Sequence, residues 1–92
     1  GRDLPRPGET WRDFKNHMYR ILDLADDAET GETYVVYKTL YGEYRDFIRP
    51  LDMFLSEVDH DKYPDVRQKW RFEKTAGLCS WNRAICSQYL KK

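Results

Sequence analysis

Arg12, Arg20, Arg45, Arg49 and Arg71 are interleaved with a run of rings, Tyr34, Tyr37, Tyr41, Tyr44 and Phe47. A guanidinium can stack on an aromatic face and clamp phosphate or carboxylate through two parallel hydrogen bonds, so this mixture is suited to holding an anion. The rings offer a second use, because successive aromatic faces can stack on a base or another planar ligand. Both features also have a plainer reading. Rings on strands usually pair across the sheet and fill the core, and the arginines have Asp13, Asp23, Glu43, Asp46 and Glu73 to pair with. Arg45 is read in the plainer way, as the partner of a neighbouring carboxylate.

Other chemistry finds less support. Asp13, Glu43 or Asp46 could act as a general base in a hydrolytic or nucleotide-modifying enzyme, but the chain has no phosphate loop and no nucleophile elbow to go with one. Asp59-His60-Asp61 with Asp65 superficially resembles a metal loop, yet it lacks the alternating oxygen ligands and the Gly that a calcium loop needs; it reads as a solvated loop. Cys79, Cys86, His17 and His60 do not fall at the spacing of structural zinc. The two cysteines lie seven apart in an expected helix, which sets their Cα atoms roughly 10 Å apart, beyond the span of about 7 Å that a disulfide can bridge. They read as reduced thiols, and no metal or cofactor is expected.

The whole chain constrains what could position such a site. At 92 residues and 11.1 kDa it has room for one domain, and a domain this small buries only about 60% of its unfolded surface. Aromatic residues make up 15% of the chain, and large rings supply much buried area per residue at low rotamer cost. Sixteen basic and sixteen acidic side chains cancel, which removes the broad positive field of a nucleic-acid polymer binder. No run approaches the roughly 18 apolar residues of a membrane span, and no apolar signal region follows the basic N-terminus. A cytoplasmic protein without a membrane partner is expected.

Residues 1–8, with Pro5 and Pro7, read as an extended arm. Strands are expected at residues 10–14 and 17–25, with Met18, Leu22 and Leu24 on one face of the second and Tyr19 and Ile21 on the other. An acidic loop follows, and a hairpin of residues 33–40 and 44–49 turns over at Tyr41-Gly42-Glu43. Pro50 cannot donate to a ladder, which keeps the fourth strand from the middle of a sheet. A single helical turn with Asp52 at its N-cap, a polar loop and a last short strand at residues 70–72 come next. From residue 75 the period changes, and Leu78, Trp81, Ile85 and Tyr89 form one stripe of an amphipathic helix that should pack on the rest. Short strands and tight turns of this kind predict a mainly β fold, a small, partly open SH3-like antiparallel barrel with a C-terminal α-helix. An open sheet covered by that helix is the competing architecture.

Trp11 to Asn16, Ala28 to Thr30, Val35 to Gly42, Arg49 to Phe54 and Arg71-Phe72 occur in an order that resembles the bacterial family called domain of unknown function 1653. Its members show a Tyr-Arg-His-Phe-Lys-Gly start, a Ser-Glu-Thr loop, a Val-Val-Tyr-x-x-Leu-Tyr-Gly hairpin, an Arg-Pro-x-x-Met-Phe segment and a closing Arg-Phe. The resemblance spans residues 7–74 and departs at two positions, Asp13 for the common His and Asn16 for the common Gly. It implies a standalone β domain, residues 9–74, with the arm before it and the helix of residues 75–92 after it. It implies no reaction.

Arg49 and Arg71 are the preferred site residues, since each sits in such a motif at the end of an expected strand. Tyr37, Tyr41, Trp11 and Arg12 complete the candidate set. The function expected is a non-enzymatic binding domain that holds a small anionic or nucleotide-like ligand in an aromatic and arginine-lined groove. The alternative is a protein-interaction module that uses a strand edge or the tyrosine face.

Overall fold

The structure, a computed structural model, describes residues 2–75. The expected C-terminal helix, with Trp81 and both cysteines, lies outside the described residues. The elements run β1 (Thr10–Asp13), β2 (Met18–Asp26), β3 (Thr33–Thr39), β4 (Asp46–Pro50), α1 (Leu51–Phe54) and β5 (Phe72–Lys74). They form one sheet in the order β4-β3-β2-β1-β5 with every neighbouring pair antiparallel. The fold is mainly β, as the alternating residues predict.

The sheet does not close into a barrel. β4 and β5 stand at opposite ends of the order, and β5, only three residues long, spends its pairing on β1. Pro50 ends the edge strand β4, where a missing backbone donor costs no ladder bond. It also serves as the N-cap of α1 with φ −52° and ψ 138°, in place of the expected Asp52. Asp52 falls within the first turn, and its Oδ1 accepts the Met53 N–H at 2.8 Å.

The β3–β4 hairpin reverses where Gly42 allows it, with φ +59° at Gly42 and +54° at Tyr44. That second value delays the start of β4 to Asp46. Buried Thr39 closes the loop, its Oγ1 donating to the Tyr41 carbonyl at 3.1 Å and accepting the Arg45 N–H at 2.9 Å. The aromatic second strand of the hairpin does not join the core as expected: Tyr44 is 58% and Phe47 42% exposed. An edge strand has a neighbour on one side only.

A register shift between Ile21 and Asp23 inserts Leu22 as an extra residue in β2. A bulge of this kind reverses the in-and-out alternation beyond it. Leu24 therefore packs against the same core as Tyr19 and Ile21, whereas strict alternation predicts the opposite face. The core on that side of the sheet is Trp11, Tyr19, Ile21, Val35, Tyr37, Phe54 and Phe72. Phe54, delivered by α1, lies flat on Phe72 with centroids 4.1 Å apart and meets Trp11 and Tyr37 edge-on.

After α1, residues 55–71 carry the chain from the β4 edge to the β5 edge. Pairing of Glu57 with Trp70 and hydrogen bonds from the Val58 N–H to Lys69 O and from the Arg71 N–H to Ser56 O brace this excursion. The N-terminal arm is strapped over it. Arg2 donates to the carbonyls of Leu55 at 3.0 Å and Phe72 at 2.7 Å, and its guanidinium carbon stands 4.3 Å from the centre of a Trp70 ring. Among the described residues no helix is long and apolar enough to cross a membrane.

Candidate anion site

The site is built from the end of β1. Asp13 faces the core side, and its Oδ1 accepts the N–H groups of Lys15 at 3.0 Å and His17 at 2.9 Å. Those bonds wind the chain into a tight turn whose fourth residue, Asn16, has φ +70°. Asn tolerates this left-handed conformation better than other residues that carry a side chain, which accounts for Asn at a position where the resembling family commonly has Gly. The Phe14 N–H, on the same turn, donates to the Arg71 carbonyl at 3.0 Å, and so fixes Arg71 beside it.

Arg49 arrives from the opposite edge of the sheet. It pairs across from Val35 and so faces the core side. Its Nε donates to the Tyr37 hydroxyl at 3.1 Å, and its guanidinium carbon lies 5.5 Å from the centre of the Phe72 ring. Arg49 and Arg71 thereby line one concavity of about 270 Å³. Lys15 and Lys62 add two further cations, Asp13 and Asp59 two carboxylates, and Phe14, Tyr63, Tyr19 and Phe72 the apolar wall. Phe14 and Tyr63 pack at 4.9 Å, with Lys15 Nζ within 5.8 Å of both ring centres.

The charges on this wall are unevenly satisfied. Asp13 Oδ2 accepts the Tyr19 hydroxyl at 2.9 Å, and Asp59 Oδ1 accepts the N–H groups of Asp61 and Lys62, both at 3.1 Å. Neither carboxylate has an arginine within 4.0 Å, and among the described residues Arg49 and Arg71 form no ion pair. The Arg71 Nε is buried without any hydrogen-bond partner. A buried donor left unmade costs about 1 to 3 kcal/mol, so this atom is the most unusual feature of the wall.

Tyr19 connects the concavity to the exterior. Its hydroxyl is 3.1 Å from that of Tyr41, which stacks on His17 with centroids 4.4 Å apart. Burial, the Tyr41 hydrogen bond and the neighbouring Asp13 push the Tyr19 hydroxyl far above its ordinary range. It stays protonated and acts as a donor.

The expected residues divide accordingly. Arg49 and Arg71 meet at one concavity. Tyr37 is buried beneath Arg49, and Tyr41, 38% exposed, reaches the wall through Tyr19 and His17. Trp11 and Arg12 do not belong to it: side chains alternate along β1, so Trp11 points into the core while Arg12 points out, 4.0 Å from Glu73. Glu43 and Asp46 pair with Arg45 and Lys38 and do not line the concavity. Sequence reasoning missed Lys15, Tyr19, Lys62 and Tyr63. The Asn after Lys15 and the Asp that caps the turn at Asp59 were the available signals. Among the described residues no three His, Cys, Asp or Glu side chains are grouped as a metal site.

The family model described as a protein of unknown function, DUF1653, matches residues 9–74. A crystal structure of a protein belonging to the same family, from Bordetella bronchiseptica, is similar over 76% of this chain and 86% of that one, with 32% identity and a TM-score of 0.61. No curated protein matches the sequence.

Proposed function

Because the chain belongs to the DUF1653 family, whose function is unknown, we propose a function from the concavity itself: a non-enzymatic domain that binds a small anionic ligand between Arg49 and Arg71. The observation that carries this reading is two arginines lining one hollow without a carboxylate partner, one of them with a buried Nε that nothing satisfies. In a chain with sixteen acidic side chains, arginines at one site left without an acid point to an anion supplied from outside. The volume, about 270 Å³, is just below the roughly 300 Å³ at which pockets for drug-sized ligands begin, which favours a small molecule over a large one. A nucleotide-like ligand would project its base toward Phe14 and Tyr63. The reading supposes a bacterial, cytoplasmic setting; the relative from Bordetella bronchiseptica is in keeping with the first of these.

A general base for an enzymatic reading is hard to find here, since Asp13 spends its oxygens on Lys15, His17 and Tyr19. The protein-interaction reading draws on a different surface, the β4 edge and its neighbourhood, where Tyr44, Phe47, Ile48 and Met53 are 58%, 42%, 65% and 48% exposed. An open edge that carries apolar side chains is the usual template for strand addition.

Native mass spectrometry of the wild-type protein and of Arg49→Met, each purified from the source organism, separates the readings. A small anion carried by the wild type and lost from the variant supports the site. The expected loss is about 1.5 to 3 kcal/mol of binding, as for a hydrogen bond to a charged group. A stoichiometric protein carried equally by both would favour the β4 edge.

A further inference from the structure

We infer that the anion is a phosphate dianion, free or as a monoester, in preference to a carboxylate. The inference rests on the anion-binding reading above and concerns the class of group that the same concavity selects.

Charge is the first argument. Lys15, Arg49, Lys62 and Arg71 against Asp13 and Asp59 leave the wall with a surplus of two positive charges. A carboxylate would neutralise half of it and a phosphate dianion all of it.

Donor geometry is the second. Arg49 commits its Nε to Tyr37, which leaves the two terminal nitrogens as its open fork. Arg71 makes no side-chain hydrogen bond among the described residues, and its Nε is enclosed; its two terminal nitrogens are its open fork. Two forks present up to four N–H donors, and arginine forks match phosphate and carboxylate oxygens two at a time. A carboxylate has two oxygens and can satisfy only one fork. A phosphate monoester has three terminal oxygens and inorganic phosphate four, enough to engage both. The two lysines, held near the Phe14 and Tyr63 rings, supply point charges without directional demands.

The third argument is competition. Asp13 and Asp59 line the hollow but are occupied by backbone and tyrosine donors. They lessen the attraction of the four cations without taking up the guanidinium donors, so both forks remain for a ligand that brings enough oxygens to fill them.

The test uses the full chain and the Arg71 Nε–H itself, followed by nuclear magnetic resonance at constant ionic strength. The chain is titrated in turn with inorganic phosphate, methyl phosphate, sulfate and acetate. Phosphate and sulfate should shift the Arg71 Nε–H signal at concentrations at least about tenfold below acetate, a ratio that corresponds to about 1.4 kcal/mol. Methyl phosphate distinguishes the sources: if it binds as inorganic phosphate does, the site accepts esters, and if it is excluded, the ligand is the free ion. Below about pH 6 a phosphate monoester takes up a proton and becomes a monoanion, so binding of methyl phosphate should weaken there while that of sulfate holds. Acetate binding as tightly as phosphate would overturn the dianion class and leave the anion site standing. If no anion moves the Arg71 signal, the anion-binding reading falls with it.

Discussion

Phe72 lies face to face with Phe54, ring centroids 4.1 Å apart and planes 8° from parallel. The stack joins the only helical turn among the described residues to the last strand, and it sets the positions of both arginines. Arg71 is the residue before Phe72, and the Arg49 guanidinium rests over the same ring at 5.5 Å. Packing in the core thus determines the spacing of charges at the surface.

Arg71→Met should leave folding stability unchanged or raise it by about 1 kcal/mol, because it removes a buried donor that has no partner. The same variant should lose anion binding. Urea unfolding beside a phosphate titration reads both. A loss of stability above about 1 kcal/mol would assign the guanidinium a structural role instead.

Tyr19 predicts an alkaline limit. Its hydroxyl is pushed up by burial, Tyr41 and Asp13, whereas an unfolded tyrosine ionises near pH 10. The raised value means that the folded state keeps a proton that the unfolded state releases. Its contribution is complete below about pH 10 and then falls by about 1.4 kcal/mol per pH unit. Unfolding midpoints measured from neutral to strongly alkaline pH should show this slope in the wild type. It should be smaller in Tyr19→Phe, which also loses the hydrogen bond to Asp13 at every pH.

Arg2→Ala should destabilise the domain by about 2 kcal/mol, since it removes two charge-assisted bonds, to Leu55 O and Phe72 O, and the stacking on Trp70. Thermal unfolding would check it. An unchanged midpoint would show that the arm is an ornament and not a strap.

Asn16→Gly should be neutral within about 0.5 kcal/mol and Asn16→Ala should cost about 1 kcal/mol, because only the first retains easy access to φ +70°. Equal losses in the two variants would mean that the Asn side chain matters for something other than the turn.

The legible parts of this fold are those governed by short-range rules. Alternation and Gly42 marked the β3–β4 hairpin, and Pro50 marked an edge. Arg49 and Arg71 could be linked in advance because both end or precede strands, where a sheet opens. The bulge at Leu22 escaped notice, since one inserted residue leaves the composition of a strand intact while reversing its faces. Trp11 and Arg12 fall on opposite faces of β1, as adjacent residues on a strand do, so only one of them faces the core side. Lys62 and Tyr63 were hidden because their approach to Phe14 and Lys15 depends on the path of residues 55–71 through space, and no local pattern encodes it.

The pairing of β1 with β5, Trp11 opposite Lys74, has a kinetic side. β2, β3 and β4 join residues close along the chain, whereas this seam must bring together its distant ends, and such contacts form late and at greater loop-closure cost. The seam can also open locally, since domains open in cooperative units of differing stability. Amide exchange at Phe14, whose N–H bonds to Arg71 O, would report that opening. An anion held by Arg49 and Arg71 would bridge the early-forming and late-forming edges of the sheet, so its occupancy would act as a clasp on how often the domain comes apart at its own join.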